Sequence, residues 1–308
     1  MTHDHPAAAD RAVSRPFGRL LTAMVTPFTP DGSLDLDGAA RLATYLVDEQ
    51  ANDALVISGT TGESPTTTDA EKEQLLRAVV EAVGDRAKVV AGVGTNDTRH
   101  TIELAVSAEK AGAHGLLVVT PYYSKPPQSG LLRHFTSVAD ATGLPVMLYD
   151  IPHRSGVPIA TETLVRLAEH DRIVGVKDAK GDLTATSWVT SRTDLAVYSG
   201  EDSLTLASLA VGGVGLVGTS THFTGALAKQ MIEAYDRGDN ATALLLHRRL
   251  LPLFTGIFRT QGTILVKAGL AASGRPAGPV RPPLVDATEA ELAQLRVDCA
   301  DAGLELPA

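Results

Sequence analysis

From Leu20 onward the chain alternates short apolar runs with longer amphipathic stretches. Strands buried on both faces read as near-continuous apolar runs, and the helices that cover them carry a one-sided apolar stripe. The alternation therefore predicts βα units around a parallel sheet. Eight strands are expected, over residues 21–26, 54–58, 88–93, 115–120, 145–150, 173–178, 195–199 and 214–218. The helical stretches between them have recognisable starts. Thr68-Asp69-Ala70-Glu71 has the form of a capping box and leads into Leu75, Leu76, Val79, Val80 and Val83 at helical spacing. Residues 98–111 place Ile102, Leu104, Ala105, Ala108 and Ala111 largely along one stripe. Asp202 stands where an N-cap belongs, ahead of Leu204, Leu206, Leu209 and Ala210.

Eight such repeats predict an α/β chain folded as a (β/α)8 TIM barrel. The structural alternative, an open doubly wound sheet, usually carries a glycine-rich turn after its first strand. Here that position reads Val25-Thr26-Pro27-Phe28-Thr29-Pro30, without a glycine. Beyond the eighth strand only helices are expected, over 225–237, 241–258, 263–272 and 289–302, interrupted near 274–283 by a Pro/Gly-rich linker. The expected organisation is a flexible N-terminal tail over 1–16, the barrel over 17–240 and a C-terminal helical extension over 241–308. Alanine-rich helices outside a barrel commonly pack on another subunit, so an oligomer is expected.

Composition narrows the function classes. A net charge of -9 leaves no basic stripe to neutralise phosphates, which argues against nucleic-acid binding. One cysteine, Cys299, rules out a disulfide framework within the chain and a cysteine-based zinc site, and suits the cytoplasm. No apolar run approaches the roughly 20 residues of a membrane helix. The tail carries no apolar core of a signal peptide, and its His3 and His5 offer a metal only adventitious contact.

In a barrel of this kind the chemistry sits at the C-terminal ends of the strands. The second strand runs into Gly59-Thr60-Thr61-Gly62-Glu63-Ser64, whose hydroxyls and amides suit a carboxylate. The fourth ends in Thr120-Pro121-Tyr122-Tyr123, the fifth in Tyr149-Asp150-Ile151-Pro152-His153-Arg154, the seventh in Ser199-Gly200-Glu201-Asp202 and the eighth in Gly218-Thr219-Ser220. The sixth, Ile173-Val174-Gly175-Val176-Lys177-Asp178, carries a lysine inside an apolar run. Period-two alternation puts Val174 and Val176 on one face and Gly175 and Lys177 on the other. A buried ammonium is either paired, here with Asp178 or Glu63, or neutralised into an amine able to attack a ketone and form a Schiff base. The second outcome is supported by the company at the same mouth: a phenol to move protons, hydroxyls to hold a carboxylate, and a guanidinium to grip a second one. The histidines, from His100 to His247, form no pair at metal-ligand spacing on a strand end, so metal-dependent aldol chemistry is not expected. There is no phosphate-binding P-loop.

Gly59-Thr60-Thr61-Gly62-Glu63, Tyr149 with Arg154, and Val174-Gly175-Val176-Lys177-Asp178-Ala179 resemble the dihydrodipicolinate synthase branch of the pyruvate-dependent class I aldolase family, which includes N-acetylneuraminate lyase. The resemblance runs from about Leu20 into the C-terminal helices and is strongest to actinobacterial members. It implies a condensation of pyruvate with L-aspartate 4-semialdehyde that gives 4-hydroxy-tetrahydrodipicolinate on the diaminopimelate route to lysine. Lys177 matches the Schiff-base lysine and Tyr149 the proton donor and acceptor. Thr61 matches the contact to the pyruvate carboxylate, and Val217 and Gly200 fall at substrate-contact positions. Thr60, Thr61 and Tyr123 match a proton relay, with Tyr123 reaching in from a neighbouring subunit of a homotetramer, a dimer of dimers. Arg154 matches the arginine that receives the semialdehyde carboxylate. No cofactor is implied, because the imine itself is the electron sink.

Two alternatives stand beside this reading: a related aldolase or dehydratase acting on a sugar-derived 2-keto acid, and a keto-acid sensor that keeps only the fold. Lysine-inhibited members of the family place His, His and Glu where this chain has Asp69, Lys72 and His100. The resemblance therefore implies weak feedback inhibition by lysine, since no acid meets the effector's ammonium and Lys72 adds like charge.

Overall fold

The structure, a computed structural model, describes residues 14–307. The expected tail over 1–16, with His3 and His5, lies outside the described residues except for Ser14, Arg15 and Pro16. Eight strands alternate with helices: β1 (Leu20–Ala23), α1 (Leu36–Asp48), β2 (Ala54–Ile57), α2 (Asp69–Val83), β3 (Lys88–Gly92), α3 (Thr98–Lys110), β4 (Gly115–Val119), α4 (Gln128–Asp140) and β5 (Val146–Asp150). The chain continues through a short α5 (Pro152–Ser155), α6 (Thr161–Leu167), β6 (Ile173–Asp178), α7 (Leu183–Arg192), β7 (Ala196–Ser199), α8 (Thr205–Ala210), β8 (Gly215–Gly218) and α9 (Thr221–Asp236). Three more helices follow: α10 (Asn240–Gly256), α11 (Gly262–Ala272) and α12 (Glu289–Asp301). The strands pair in chain order, all parallel, and β8 closes on β1, which makes the expected TIM barrel.

Alternation along the strands sorts the core into two layers. Leu55, Ile57, Val89, Ala91, Leu116, Val118, Leu148 and Val197 face the helices. Leu21, Val56, Val90, Leu117, Met147, Ala196 and Val217 fill the barrel interior, and Phe17 closes its lower end. The helix starts obey local chemistry. Thr68 and Glu71 form the expected capping box of α2, and Thr288 with Glu291 forms a second at α12. The extension is continuous with the barrel: Leu253, Ile257, Leu265, Val266, Leu270, Leu295 and Cys299 belong to the same buried cluster as the outer layer.

Three local expectations are corrected. β1 ends at Ala23, not at 26, because Thr26 leaves the wall to donate its hydroxyl to the Gly62 carbonyl at 2.7 Å. In β6 the register skips a residue: Val146 faces Ile173 and Met147 faces Gly175, so Val174 is the extra residue of a bulge. Ile173 and Val176 consequently pack outward while Val174 packs with the barrel interior, and simple alternation fails on the N-terminal side of the bulge. Lys177, beyond the bulge, remains on the face opposite Val176. The stretch 274–283 is no free linker. Phe28 donates its N–H to the Ala277 carbonyl, and Gly278, at φ +66, lies so close to the Phe28 backbone that any side chain would collide with it.

Candidate active site

Lys177 emerges at the C-terminal end of β6, opposite Tyr149 of β5 in the strand register. It is 5% exposed, and its Nζ lies 4.5 Å from the centre of the Tyr149 ring. The ion pairs that would make it a structural lysine are absent: Glu63 is paired with Lys267, and Asp178 accepts from the Lys180 N–H and the Thr186 hydroxyl. Burial pulls the Lys177 ammonium down to about 8; Asp202 and Glu201 oppose that fall and Arg154 adds to it. A large neutral fraction near pH 7.5 is what a nucleophilic amine needs. Burial pushes the Tyr149 phenol up to about 12, against the opposing effects of Arg154 and a hydrogen bond within reach of the Thr60 hydroxyl. Tyr149 is thus a protonated phenol beside an amine, fitted to give a proton and take it back.

The turn after β2 supplies the hydroxyls. Its backbone is held tightly: Thr26 donates to the Gly62 carbonyl, Thr263 of α11 to the Thr61 carbonyl at 3.0 Å, and Glu63 occupies the left-handed region at φ +57. Thr61 is buried, and its hydroxyl is 3.3 Å from that of Thr219 beyond β8, so the turns after β2 and β8 meet across the mouth.

The structure also explains Gly200 and corrects Asp202. A Cβ on Gly200 would stand 3.0 Å from Lys177 Cγ and 2.9 Å from Ala179 Cβ, so the missing side chain is the space the lysine stem needs. Asp202 is not an N-cap. It begins a single 3-10 turn, is fully buried, and its carboxylate accepts backbone N–H groups of Thr219 at 3.2 Å and Ser220 at 2.7 Å. It therefore fixes the loop after β8 and places a carboxyl group near enough for its charge to act on Lys177. Val217 is buried in the barrel interior directly before that loop.

Arg154 sits on α5, exposed, on the wall of a cavity of about 420 Å³ that also contains Thr60 and Tyr149. Its segment is tied down by Asp150, which accepts the Ile159 N–H at 3.1 Å and pairs with Lys180 at 2.9 Å. The cavity continues to Asp69, Lys72 and His100. There Asp69 contacts His100 Nε2 at 2.8 Å, and Lys72 donates to the Thr67 carbonyl at 2.5 Å. Tyr123 is not brought to Lys177 within one chain. It is 88% exposed with φ +73, and Tyr122 lines the cavity in its place.

Sequence reasoning missed three contributors. Tyr198, paired in register with Lys177, forms a buried floor and donates its hydroxyl to the Gly18 carbonyl. Fully buried His222 accepts the Val25 N–H on Nε2 while Nδ1 lies 2.8 Å from the Thr219 carbonyl, which staples the loop after β1 to that after β8. Burial lowers its pKa to about 4, so it works as a neutral imidazole. Lys267 is the third. Tyr198 and Lys267 show in the sequence only as a polar residue inside an apolar run, and His222, among threonines and a serine, carries no such signal. Among the described residues no group of three or more His, Cys, Asp or Glu side chains is placed to hold a metal ion, and no helix is long and apolar enough to cross a membrane.

Comparison with known proteins agrees with this geometry. The sequence model of the dihydrodipicolinate synthetase family matches residues 16–302. A 4-hydroxy-tetrahydrodipicolinate synthase of Acidothermus cellulolyticus is 74% identical over 94% of this chain and 93% of its own length. The 4-hydroxy-tetrahydrodipicolinate synthase 2 of Streptomyces coelicolor is 64% identical over 94% of this chain and 97% of its own. Among solved structures, the chain is similar to a DHDPS of Cyanidioschyzon merolae with lysine bound, at a TM-score of 0.92 and 42% identity, covering 94% of this chain and all of that one.

Proposed function

The chain belongs to the dihydrodipicolinate synthetase family, and from that premise we propose how its residues carry out the reaction. It is a lyase that condenses pyruvate with L-aspartate 4-semialdehyde through a lysine Schiff base to give 4-hydroxy-tetrahydrodipicolinate in diaminopimelate and lysine biosynthesis. The observation that carries the assignment of roles is the buried, unpaired Lys177 amine over the Tyr149 ring.

Neutral Lys177 attacks C2 of pyruvate, and the carbinolamine loses water with a proton delivered from Tyr149 through the hydroxyls of Thr60 and Thr61. The iminium then gives up a methyl proton to the same relay and becomes an enamine. Its C3 forms a carbon–carbon bond to the aldehyde carbon, whose oxygen takes a proton. Finally the amino group of the former semialdehyde attacks C2, the bond from C2 to Lys177 breaks, and the lysine leaves as the free amine with the cyclic imine formed. One water is released overall. The Thr61 turn holds the pyruvate carboxylate beside Gly200 and Val217, and Arg154 receives the carboxylate of the semialdehyde bidentately. No cofactor enters, because the iminium accepts the electron pair of the broken C–H bond.

The reading includes a cytoplasmic homotetramer in which Tyr123 completes the relay of a neighbouring subunit. The extended exposure of Tyr123 supports this, as do Trp188, Leu245, Val285 and Val297, apolar side chains at least half exposed in a single chain. The test is turnover of pyruvate and aspartate semialdehyde in a coupled reductase assay, with borohydride trapping of pyruvate on the protein. Native protein is expected to turn over and trap, Lys177→Ala to do neither, and Tyr149→Phe to lose about 100-fold in turnover. Full turnover by Lys177→Ala removes the mechanism.

A further inference from the structure

Lys267, on α11 of the C-terminal extension, is the second buried lysine near the mouth, 3% exposed, and the mechanism gives it no part. Its Nζ lies 2.6 Å from Glu63 Oε1, donates to the Pro279 carbonyl at 2.8 Å and stands 4.2 Å from the centre of the Phe28 ring. The other carboxylate oxygen of Glu63 accepts the Arg281 N–H at 2.8 Å. Four residues before Lys267 on the same helix, Thr263 donates its hydroxyl to the Thr61 carbonyl at 3.0 Å. Arg281 donates to the Thr66 carbonyl and pairs with Glu71, on the far side of the same turn. Apart from the Lys267 contacts to Pro279 and Phe28, these contacts join the extension to the segment 61–71.

The turn needs such a clasp. Glu63 holds a backbone conformation, φ +57, that a residue with a Cβ adopts only when its surroundings enforce it. Two and three residues earlier the same backbone fixes where the Thr61 and Thr60 hydroxyls point, and a misplacement of about 1 Å in reacting groups can cost about 100-fold in rate. We propose that Lys267 and Thr263 are positioning residues of the active site: through Glu63 and the Thr61 carbonyl they hold the hydroxyl relay in line with Tyr149. The extension is then part of the catalytic apparatus of its own barrel, in addition to any contact it makes with another subunit. The proposal rests on the Schiff-base reading above and assigns the relay step, not the amine, to this clasp.

The two steps can be read separately. The extent of borohydride trapping with pyruvate alone, taken after the imine has equilibrated, reports the Lys177 amine and not the relay, which changes how fast the imine forms but not how much of it. The rate of deuterium exchange into the pyruvate methyl group in D2O reports the relay. In Lys267→Met, exchange is expected to slow by about ten-fold or more, and in Thr263→Val by severalfold. Trapping should stay within about two-fold of native in both, and Lys267→Arg should recover part of the exchange. Native exchange rates in the folded variants overturn the proposal, and a native rate in Thr263→Val alone does so if Lys267→Met does not fold. Equal losses of trapping and exchange overturn it too, because a general loosening of the barrel gives that result. Absence of trapping in the native protein instead removes the Schiff-base reading beneath it.

Discussion

Lys177 and Tyr149 stand opposite each other on paired strands, with the amine 4.5 Å from the centre of the phenol ring. The amine thus meets a π face and not a carboxylate, and no salt bridge to it exists among the described residues. The contrast with Lys267 is instructive: equally buried, it is paired with Glu63 at 2.6 Å. Of two buried lysines near one mouth, the one without a contacting carboxylate is the one we assign as the nucleophile, because burial with no ion pair favours the neutral amine.

That arrangement should reduce stability. Lys177 falls from 10.5 to about 8, which at about 1.4 kcal/mol per unit amounts to at most about 3.5 kcal/mol. The unfolded state holds its proton more tightly, so the penalty is fully present below pH 8 and disappears as pH rises from 8 to 10.5. Lys177→Met is therefore expected to be inactive yet more stable than native at pH 7, with the advantage shrinking toward pH 10. Urea unfolding at the two pH values measures it. The rate of borohydride trapping in native protein should likewise fall as pH drops below 8.

Gly200→Ala tests whether the space beside the lysine stem matters. The added methyl would press on Lys177 Cγ and Ala179 Cβ at 3.0 Å or less. The expected result is slower imine formation, by about ten-fold or more, with little change in melting temperature. Trapping at the native rate counts against the close approach.

Arg154→Ala should separate the two substrates. Its guanidinium lies on the cavity wall and Lys177 does not depend on it for burial. We expect kcat/KM for the semialdehyde to drop about 10- to 100-fold, the worth of a charged bidentate contact, while the trapping of pyruvate holds. An unchanged kcat/KM would point to a neutral aldehyde and return the assignment to the sugar-acid aldolases.

Lysine should be a poor inhibitor. The cavity's outer end presents Asp69 engaged with His100, and Lys72, whose pKa burial lowers, in place of a free acid. Half-inhibition is expected only above roughly millimolar lysine, since an ammonium there meets one satisfied carboxylate and a like charge. A titration reaching half-inhibition well below that concentration sinks the prediction.

The sequence alone was enough for the eight strands and most helices, since their signals are local: apolar runs, a 3.6-residue stripe behind Thr68 and Glu71, and no glycine after the first strand. It also delivered Lys177, Tyr149, Thr60, Thr61 and Arg154 as one cluster, because in this fold every strand end reaches the same mouth. Other features depended on partners far along the chain. Asp202 reads as an N-cap locally, but its acceptor oxygens are taken by N–H groups 17 and 18 residues away. The bulge at Val174 exists only in the pairing with β5, and Thr263 meets Thr61 across 202 residues. Period and propensity are properties of neighbours in sequence, so the chain by itself determined its elements and their order. Which buried lysine is paired and which is left free depends on groups that only closure of the barrel brings within a few ångströms, and that the tertiary structure decided.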